Sequence, residues 1–223
     1  MGQNSPASLT ANTAQAPTRP ADSPRLRRAL IVAAVLIGPL VVLLLLGDEL
    51  IPLLQYERGP ILAGEWWRLI TGHFVHFDTA HLAINAFVIL AWLYLFDQRE
   101  SLGTVVWTFL GYALWTSLGM LLLSPDLEWM LGASAITYAL ISGSAFRAAL
   151  DGPRLLGLMI LAALGLKLIA EQYWGIGSLF SYYADYPIAS VTHVYGIAVG
   201  ILVEAWRRIA YALQAHPEKG SFK

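Results

Sequence analysis

Six apolar segments, each about twenty residues long, limit what this chain can fold into. A helix needs about 20 apolar residues to cross the roughly 30 Å hydrocarbon core of a bilayer. Irregular backbone cannot satisfy its hydrogen bonds in lipid, so spanning segments are expected to be helical. The pattern predicts an all-α polytopic membrane protein with six transmembrane helices, over residues 29–47, 80–97, 102–123, 133–150, 154–174 and 189–208.

The composition favours a chain that is mostly in contact with lipid. Of the 223 residues, 57% are hydrophobic and only 13% are charged, whereas soluble domains carry about 25% charged residues. The net charge of −1 gives no indication of a nucleic-acid partner, which would favour a basic face. The chain has no cysteine, which excludes disulfides, thiolate zinc sites and a cysteine nucleophile.

Three regions are predicted along the chain. Residues 1–24 are rich in small and polar side chains and are expected to form a disordered cytoplasmic tail. The apolar run that follows is longer than the roughly 7–15 residues of a signal-peptide core and lacks a small-x-small cleavage site, so we expect it to be retained as the first transmembrane helix. The membrane domain is predicted over residues 25–210 and a cytoplasmic tail over residues 211–223.

Arginine and lysine are distributed unevenly between the two ends of the predicted bundle, and cytoplasmic loops carry the excess of these residues. An even number of helices places both termini on one side. The other side would hold only Arg58 and Arg68, and Lys167 lies within predicted helix 5. Both termini are therefore predicted to be cytoplasmic, on the side that holds Arg19, Arg25, Arg27, Arg28, Arg99, Arg147, Arg154, Arg207, Arg208, Lys219 and Lys223.

Polar side chains within the apolar segments are candidates for function, because burying them in hydrocarbon is costly. His81 and Asn85 lie four residues apart on predicted helix 2 and therefore share a face. Predicted helix 4 opens with Gly132 and Ser134, and Tyr138 lies one turn further on.

Predicted helix 6 carries His193, followed by Gly196 and Gly200. The two glycines form a small-residue strip that allows a neighbouring helix to approach closely. If helix 4 is that neighbour, His193 lies within reach of Ser134.

A serine hydroxyl becomes nucleophilic when an adjacent base removes its proton, and a neutral imidazole suits that role near pH 7. Acyl transfer also needs donors for the developing oxyanion. His81, Asn85 and the backbone N–H of Ser134 are the candidates. No acidic residue lies near Ser134 or His193 along the chain, so a dyad is expected rather than a triad, with Tyr138 as a platform for the imidazole.

At this point the chain resembles a known family. The order His-x3-Asn, Gly-x-Ser and His-x2-Gly-x3-Gly on helices 2, 4 and 6 resembles the rhomboid intramembrane proteases, as do Trp67-Arg68 and His76 before helix 2. The resemblance covers roughly residues 56–208. It implies a six-helix bundle and a serine endopeptidase without a cofactor. It assigns the dyad to Ser134 and His193, the oxyanion site to His81 and Asn85, and bracing of the first loop to His76 and Arg68.

A narrower resemblance is to the rhombosortase branch. It rests on the sequence from Gly64 to His73 with His76, on Lys167-x3-Glu171-Gln172, and on His193-Val194-Tyr195-Gly196. This branch implies a bacterial inner-membrane enzyme. Its substrates would be membrane-anchored proteins that end in a Gly-Gly motif, a transmembrane helix and a basic tail.

Lys167 and Glu171 lie four residues apart on predicted helix 5. Mutual neutralisation of the two charges is the simpler interpretation. The sharper hypothesis is that the pair helps to bind the tail of the substrate.

Several other functions compete. Rhomboids usually have glycine after the serine, whereas this chain has Ala135, which leaves open a catalytically inactive protein that binds or escorts membrane proteins. A transporter or channel would be expected to show internal repeats or paired broken helices, and a structural membrane protein would not explain four polar residues at helix starts on one side. His73, His76 and His81 do not form a His-Glu-x2-His motif, so no metal site is predicted.

Overall fold

In the computed structural model the described residues are 23–96, 100–174 and 190–215, and within these ranges the chain folds into six long helices. The long helices are α1 (Ser23–Leu46), α5 (Thr79–Leu95), α6 (Leu102–Leu123), α7 (Ser134–Asp151), α8 (Arg154–Trp174) and α9 (Ser190–Ala215). The short elements are a 3-10 helix (Asp48–Leu50), α2 (Ile51–Leu54), β1 (Tyr56–Glu57), α3 (Arg58–Leu62), α4 (Arg68–Thr71) and β2 (Trp129–Met130). The predicted all-α class is confirmed.

The apolar character differs between the long helices. Among the described residues, α1, α6 and α8 are long and apolar enough to cross a membrane, and α5 is a shorter apolar helix. Helix α7 is buried over most of its length and carries many small and polar residues, and α9 contains polar and charged residues such as His193, Glu204 and Arg207. Apolar length alone therefore does not identify α7 and α9 as membrane-spanning helices.

The predicted helix positions agree with the structure to within a few residues, except at two ends. Helix α1 begins at Ser23 rather than residue 29, and α9 continues to Ala215 rather than 208. The α1 extension lies in arginine-rich sequence, and the α9 extension follows Arg207 and Arg208, so both lie beyond charged residues at which a count of apolar residues stops. Just before the α9 extension, Arg207 Nη1 and Glu204 Oε1 form an ion pair at 2.8 Å.

Residues 47–78, called here the first connecting segment, lie between α1 and α5 and contain four short helical elements and β1. Strand β1 pairs antiparallel with β2, with Tyr56 opposite Met130. A further backbone hydrogen bond joins Gly132 N to Gly72 O at 3.0 Å. The segment is thereby fixed to the chain that leads into α7.

Helix α7 lies at the centre of the bundle and packs against α5, α6, α8 and α9. Its tightest contact is with α9. A Cβ atom at Gly196 would collide with the carbonyl oxygen of Ala135, and one at Gly200 would collide with that of Ala139. The two glycines therefore let the backbones of α7 and α9 touch, as the small-residue strip predicted.

Some predictions fall on residues that the structure does not describe. The predicted N-terminal tail lies outside the described residues up to position 22, as do the connection at 175–189 and the last part of the C-terminal tail from 216 onward.

Candidate active site

Ser134 is the first residue of α7, and the chain reaches it through an unusual turn. Gly132 has φ of 105°, a region that side chains other than glycine rarely adopt. A Cβ atom there would lie 2.5 Å from Cε1 of His81. Glycine is therefore required twice, for the turn and for the imidazole of His81 beside it.

His193 lies near the start of α9, one turn before Gly196. Its imidazole stacks on the ring of Tyr138, with centroids 4.3 Å apart and an angle of 20° between the rings. Tyr138 lies one turn along α7 from Ser134. The glycine contact at Ala135 and this stacking together hold His193 beside the first turn of α7.

Glu171 of α8 contacts the other edge of the imidazole, with its Oε2 2.9 Å from Nδ1 of His193. The Glu171 side chain is fully buried. The expectation of a dyad rested on the absence of a nearby acidic residue along the chain, and Glu171 is 22 residues away in sequence. The fold removes that argument, because an antiparallel neighbour brings the carboxylate to His193.

The second oxygen of Glu171 also has partners. Its Oε1 accepts a hydrogen bond from the Tyr138 hydroxyl at 3.3 Å and forms an ion pair with Lys167. The Lys167 side chain is 46% exposed, so it covers the carboxylate from the surface of the bundle. The pairing that the sequence suggested is present, and it also includes His193.

Asn85 lies on α5 and uses both hydrogens of its amide. Its Nδ2 lies 3.2 Å from the carbonyl oxygen of His81 and 3.1 Å from Nε2 of His76. Since a carbonyl oxygen only accepts, the atom facing it is the amide nitrogen. Asn85 therefore donates to His76 rather than into the space beside Ser134.

His76 connects α5 to the turn before α7. Its Nε2 accepts from Asn85, and the backbone N–H of Ala133 points at the same atom from 3.4 Å. Its Nδ1 lies 3.3 Å from the carbonyl oxygen of Phe74, to which it donates. Burial, helped by the neighbouring His81, lowers the pKa of His76 to about 3, so this imidazole is neutral with its proton on Nδ1.

His81 has a different environment. Its ring stacks with Phe77 at 6.0 Å and meets His76 edge-on at 4.9 Å, and the Asp78 carboxylate caps its backbone N–H at 2.7 Å. Its ring nitrogens form no hydrogen bond with any residue in the described ranges. Unlike Asn85, His81 has a donor available at the start of α7.

Arg68 and His73 fix the first connecting segment. The Arg68 guanidinium donates to Glu65 Oε2 at 2.6 Å and to the carbonyl oxygens of Pro52 and Gln55 at 2.8 and 3.0 Å. His73 is fully buried and its Nε2 lies 2.9 Å from the Ser117 hydroxyl of α6. Sequence reasoning did not find the His73 contact, because nothing along the chain marks Ser117 as its partner.

The Ser134 hydroxyl is only partly buried, and it forms no hydrogen bond to His193 or to any other residue in the part of the chain that the structure describes. In free enzymes such catalytic hydrogen bonds are often long and shorten only when substrate binds. The arrangement nevertheless combines a hydroxyl at the start of α7, an imidazole held beside the first turn of that helix, and the unused donor of His81. These are the parts needed for acyl transfer.

A family model for the rhomboid domain matches residues 63–208, which is more than half of the chain and includes every site residue described above. The chain belongs to the rhomboid family. Comparison with curated proteins gave no significant match to an individual protein.

Members of the rhomboid family are generally serine intramembrane proteases that act on membrane proteins. Membership, together with the apolar helices, identifies this chain as a polytopic integral membrane protein. The family model does not distinguish branches within the rhomboid family.

Proposed function

We propose that this protein is an intramembrane serine endopeptidase in which Ser134 is the nucleophile and His193 is the general base. The observation that carries the proposal is the contact between α7 and α9, where Gly196 lies against Ala135 and Tyr138 stacks on His193. This contact leaves one imidazole edge for the hydroxyl at the start of α7.

The reaction follows from these groups. His193 Nε2 takes the proton of Ser134 Oγ as that oxygen bonds to the carbonyl carbon of the substrate. The oxyanion receives hydrogen bonds from the His81 imidazole and from the backbone N–H of Ser134, which as the first residue of a helix has no partner within α7. The proton then passes to the leaving amine, and water hydrolyses the acyl-enzyme by the same route.

Ala135 in place of the usual glycine is compatible with this mechanism. Its methyl group is buried, with 1% of the residue exposed, and α7 is regular from Ser134 onward. The backbone of Ala135 can still approach α9 closely, because Gly196 on α9 has no side chain at the point of contact. An inactive protein that binds or escorts membrane proteins is the alternative, and it is an outcome of the experiment below.

We extend the proposal to the substrate. A stable transmembrane helix shields its peptide bonds, so a cleavable one needs residues that weaken it, such as glycine. The resemblance to rhombosortases around residues 64–76, 167–172 and 193–196 favours proteins that carry a C-terminal Gly-Gly motif, a transmembrane helix and a basic tail. The enzyme would then lie in a bacterial inner membrane with both termini in the cytoplasm.

The test uses purified protein in detergent and two reporters with the same transmembrane helix and basic tail. One reporter carries Gly-Gly before the helix and the other carries Leu-Leu. Cleavage of the first reporter, lost in both Ser134→Ala and His193→Ala, supports the enzyme. Weaker cleavage of the Leu-Leu reporter supports the Gly-Gly preference, and equal cleavage of both contradicts it.

Failure to cleave either reporter, in folded protein that fluorophosphonates also do not label, would favour the inactive alternative. The proposed orientation has its own test, because the chain has no cysteine. Single cysteines at Ser5 and at Asp78 should react with a membrane-impermeant maleimide from opposite sides of oriented vesicles. Reaction of both from the same side would contradict the orientation.

A further inference from the structure

Glu171 is the one acidic side chain within the described residues that bonds to the proposed base. It lies on α8, a helix that is otherwise largely apolar and exposed to lipid. Burying a carboxylate in such a place is costly. Neutralisation by Lys167 does not explain why the carboxylate is there, because leucine at positions 167 and 171 would avoid the cost of burying a charge.

The carboxylate is divided between two sets of partners. One oxygen, Oε1, contacts Lys167 and the Tyr138 hydroxyl. The other, Oε2, lies 2.9 Å from Nδ1 of His193. Because Tyr138 also stacks on the imidazole, the ring is held on one face and at one edge by the same small cluster.

The contact fixes which nitrogen carries the proton. A carboxylate accepts hydrogen bonds, so Nδ1 of neutral His193 is the protonated nitrogen and Nε2 has the free lone pair. That is the tautomer that a base for Ser134 requires. We propose that Glu171 is a positioning residue of the active site, which holds His193 in this tautomer and stabilises the imidazolium formed during acyl transfer, so that the functional unit is Ser134–His193–Glu171.

This inference rests on the proposed function of Ser134 and His193. Among the described residues, the titratable groups near His193 are Glu171 from α8, Tyr138 from α7 and His81 from α5, and Lys167 reaches the cluster through Glu171 and the Tyr138 ring. When His193 takes the serine proton, Glu171 is the only anion among them, so it supplies the counter-charge for the imidazolium. Lys167 supplies the counter-charge for Glu171 before that step. The pair then acts on the base, rather than on the tail of the substrate.

The test is Glu171→Gln, with Glu204→Gln as the matched control. Glutamine keeps the size of the side chain but removes the charge, and it can present either an acceptor or a donor to Nδ1. Glu204 is also buried and also ion-paired, to Arg207, but it lies eleven residues beyond His193 on α9. Both variants therefore remove a buried, paired carboxylate from the same bundle.

For Glu171→Gln we expect kcat to fall on the order of 10- to 100-fold, as for loss of a hydrogen bond to a charged group, with KM within about 2-fold of the wild-type value. The rate of fluorophosphonate labelling should fall by the same factor, because labelling needs the activated serine but no bound substrate. Glu204→Gln should leave kcat within about 2-fold while lowering the unfolding temperature.

Three results would overturn the inference. One is a kcat within about 2-fold of wild type in Glu171→Gln. Another is a rise in KM alone, which would return Glu171 to substrate binding. The third is an equal loss of kcat in Glu171→Gln and Glu204→Gln, which would make the effect a general one of buried charge.

Two further variants keep the inference separate from folding and from the proposed function. In a His193→Ala background, Glu171→Gln should cause no additional loss of labelling rate, since residues that act as a unit are not additive; a further loss would contradict the assignment. If Glu171→Gln does not fold, Tyr138→Phe removes one donor to Glu171 and keeps the ring stack, and an unchanged kcat in it would contradict the inference. A wild-type protein that fluorophosphonates do not label would instead overturn the proposed function.

Discussion

Glu171 and Glu204 are both buried carboxylates in a bundle of apolar helices, and they lie at opposite ends of it. Glu171 lies at the end where α7 and α9 begin, called here the Ser134 end. Glu204 lies near the last turns of α9, called here the Arg207 end, where Arg207 contacts it at 2.8 Å and also contacts Thr108 of α6. Each carboxylate has a basic partner on its own helix.

The difference lies in the further contact that Glu171 makes with His193. An arginine remains charged at any accessible pH and offers only donors, so the Arg207 end is fixed in one charge state. A histidine can exchange a proton near neutral pH, and in our proposal the second nitrogen of His193 serves Ser134. The same local arrangement of a buried carboxylate with a cation therefore serves structure at one end and, in our proposal, chemistry at the other.

The largest difference between the two ends should appear on removal of one hydroxyl. Ser134→Ala should lower the rate of reporter cleavage by at least about 1000-fold, because no other group supplies the nucleophile. Ser144 accepts a hydrogen bond from Trp92 Nε1 at 2.8 Å towards the Arg207 end. Ser144→Ala should cost about 1–3 kcal/mol of stability and leave the rate of cleavage nearly unchanged; equal losses of activity would remove the distinction.

His81 and Asn85 sharpen the account of the Ser134 end. His81→Ala should lower kcat about 100-fold, as for loss of an oxyanion donor. Asn85→Ala should act mainly on stability, by about 1–3 kcal/mol, because its amide donates to His76 and to the backbone. Kinetics and thermal unfolding of both variants check this. A fall in kcat that is larger for Asn85→Ala than for His81→Ala would mean that Asn85 changes partner to become the oxyanion donor.

Gly196 and Gly200 separate packing from positioning. Alanine at either position meets the backbone of α7, so each variant should lose about 1–3 kcal/mol of stability. Only Gly196→Ala also moves His193 relative to Ser134, so its kcat should fall about 10-fold further than that of Gly200→Ala. Gly165 has open space around it, and Gly165→Ala should be neutral. Equal activity in the Gly196 and Gly200 variants would contradict the positioning.

Acid should lower the stability of the protein through two buried histidines at the Ser134 end. Burial lowers the pKa of His73 to about 4 and that of His76 to about 3. Below the usual pKa of about 6.5, the unfolded chain binds protons that the folded chain does not. Stability should therefore fall as the pH falls, by about 1.4 kcal/mol per pH unit for each histidine between pH 6.5 and those values.

Thermal unfolding of wild type and His73→Asn between pH 7.5 and pH 5 measures this slope. The stability of the variant should fall less steeply with decreasing pH, since one of the two histidines no longer contributes. The same slope in both proteins would show that the acid sensitivity arises elsewhere.

The long helices could be predicted from sequence because lipid imposes a simple rule of about twenty apolar residues. The rule failed where a helix extends past charged residues, as at Arg25 to Arg28 in α1 and beyond Arg207 and Arg208 in α9. The close contact between α7 and α9 was also predictable, because Gly196 and Gly200 recur at one helical spacing. The first connecting segment was not, since its short helices depend on long-range bonds such as those of Arg68 to the carbonyl oxygens of Pro52 and Gln55.

The site also contains features that could be predicted from the sequence and features that could not. The positions of Ser134 and His193 at helix starts followed from local motifs. The partners of Asn85 and Glu171 did not, because sequence spacing gives the face of a helix but not which neighbour that face meets. Lys167 and Glu171 were visible as a costly charged pair. Their third partner, His193, required the packing of α8 against α7 and α9.

The most direct measurement is the site of covalent modification by a fluorophosphonate. Purified protein in detergent would be treated with the reagent, digested and mapped by mass spectrometry, with His193→Ala and Ser134→Ala treated in parallel. The account predicts a single adduct on Ser134 in the wild type, greatly slowed in His193→Ala and absent in Ser134→Ala. An adduct on a different residue, or labelling of Ser134 that does not depend on His193, would contradict it.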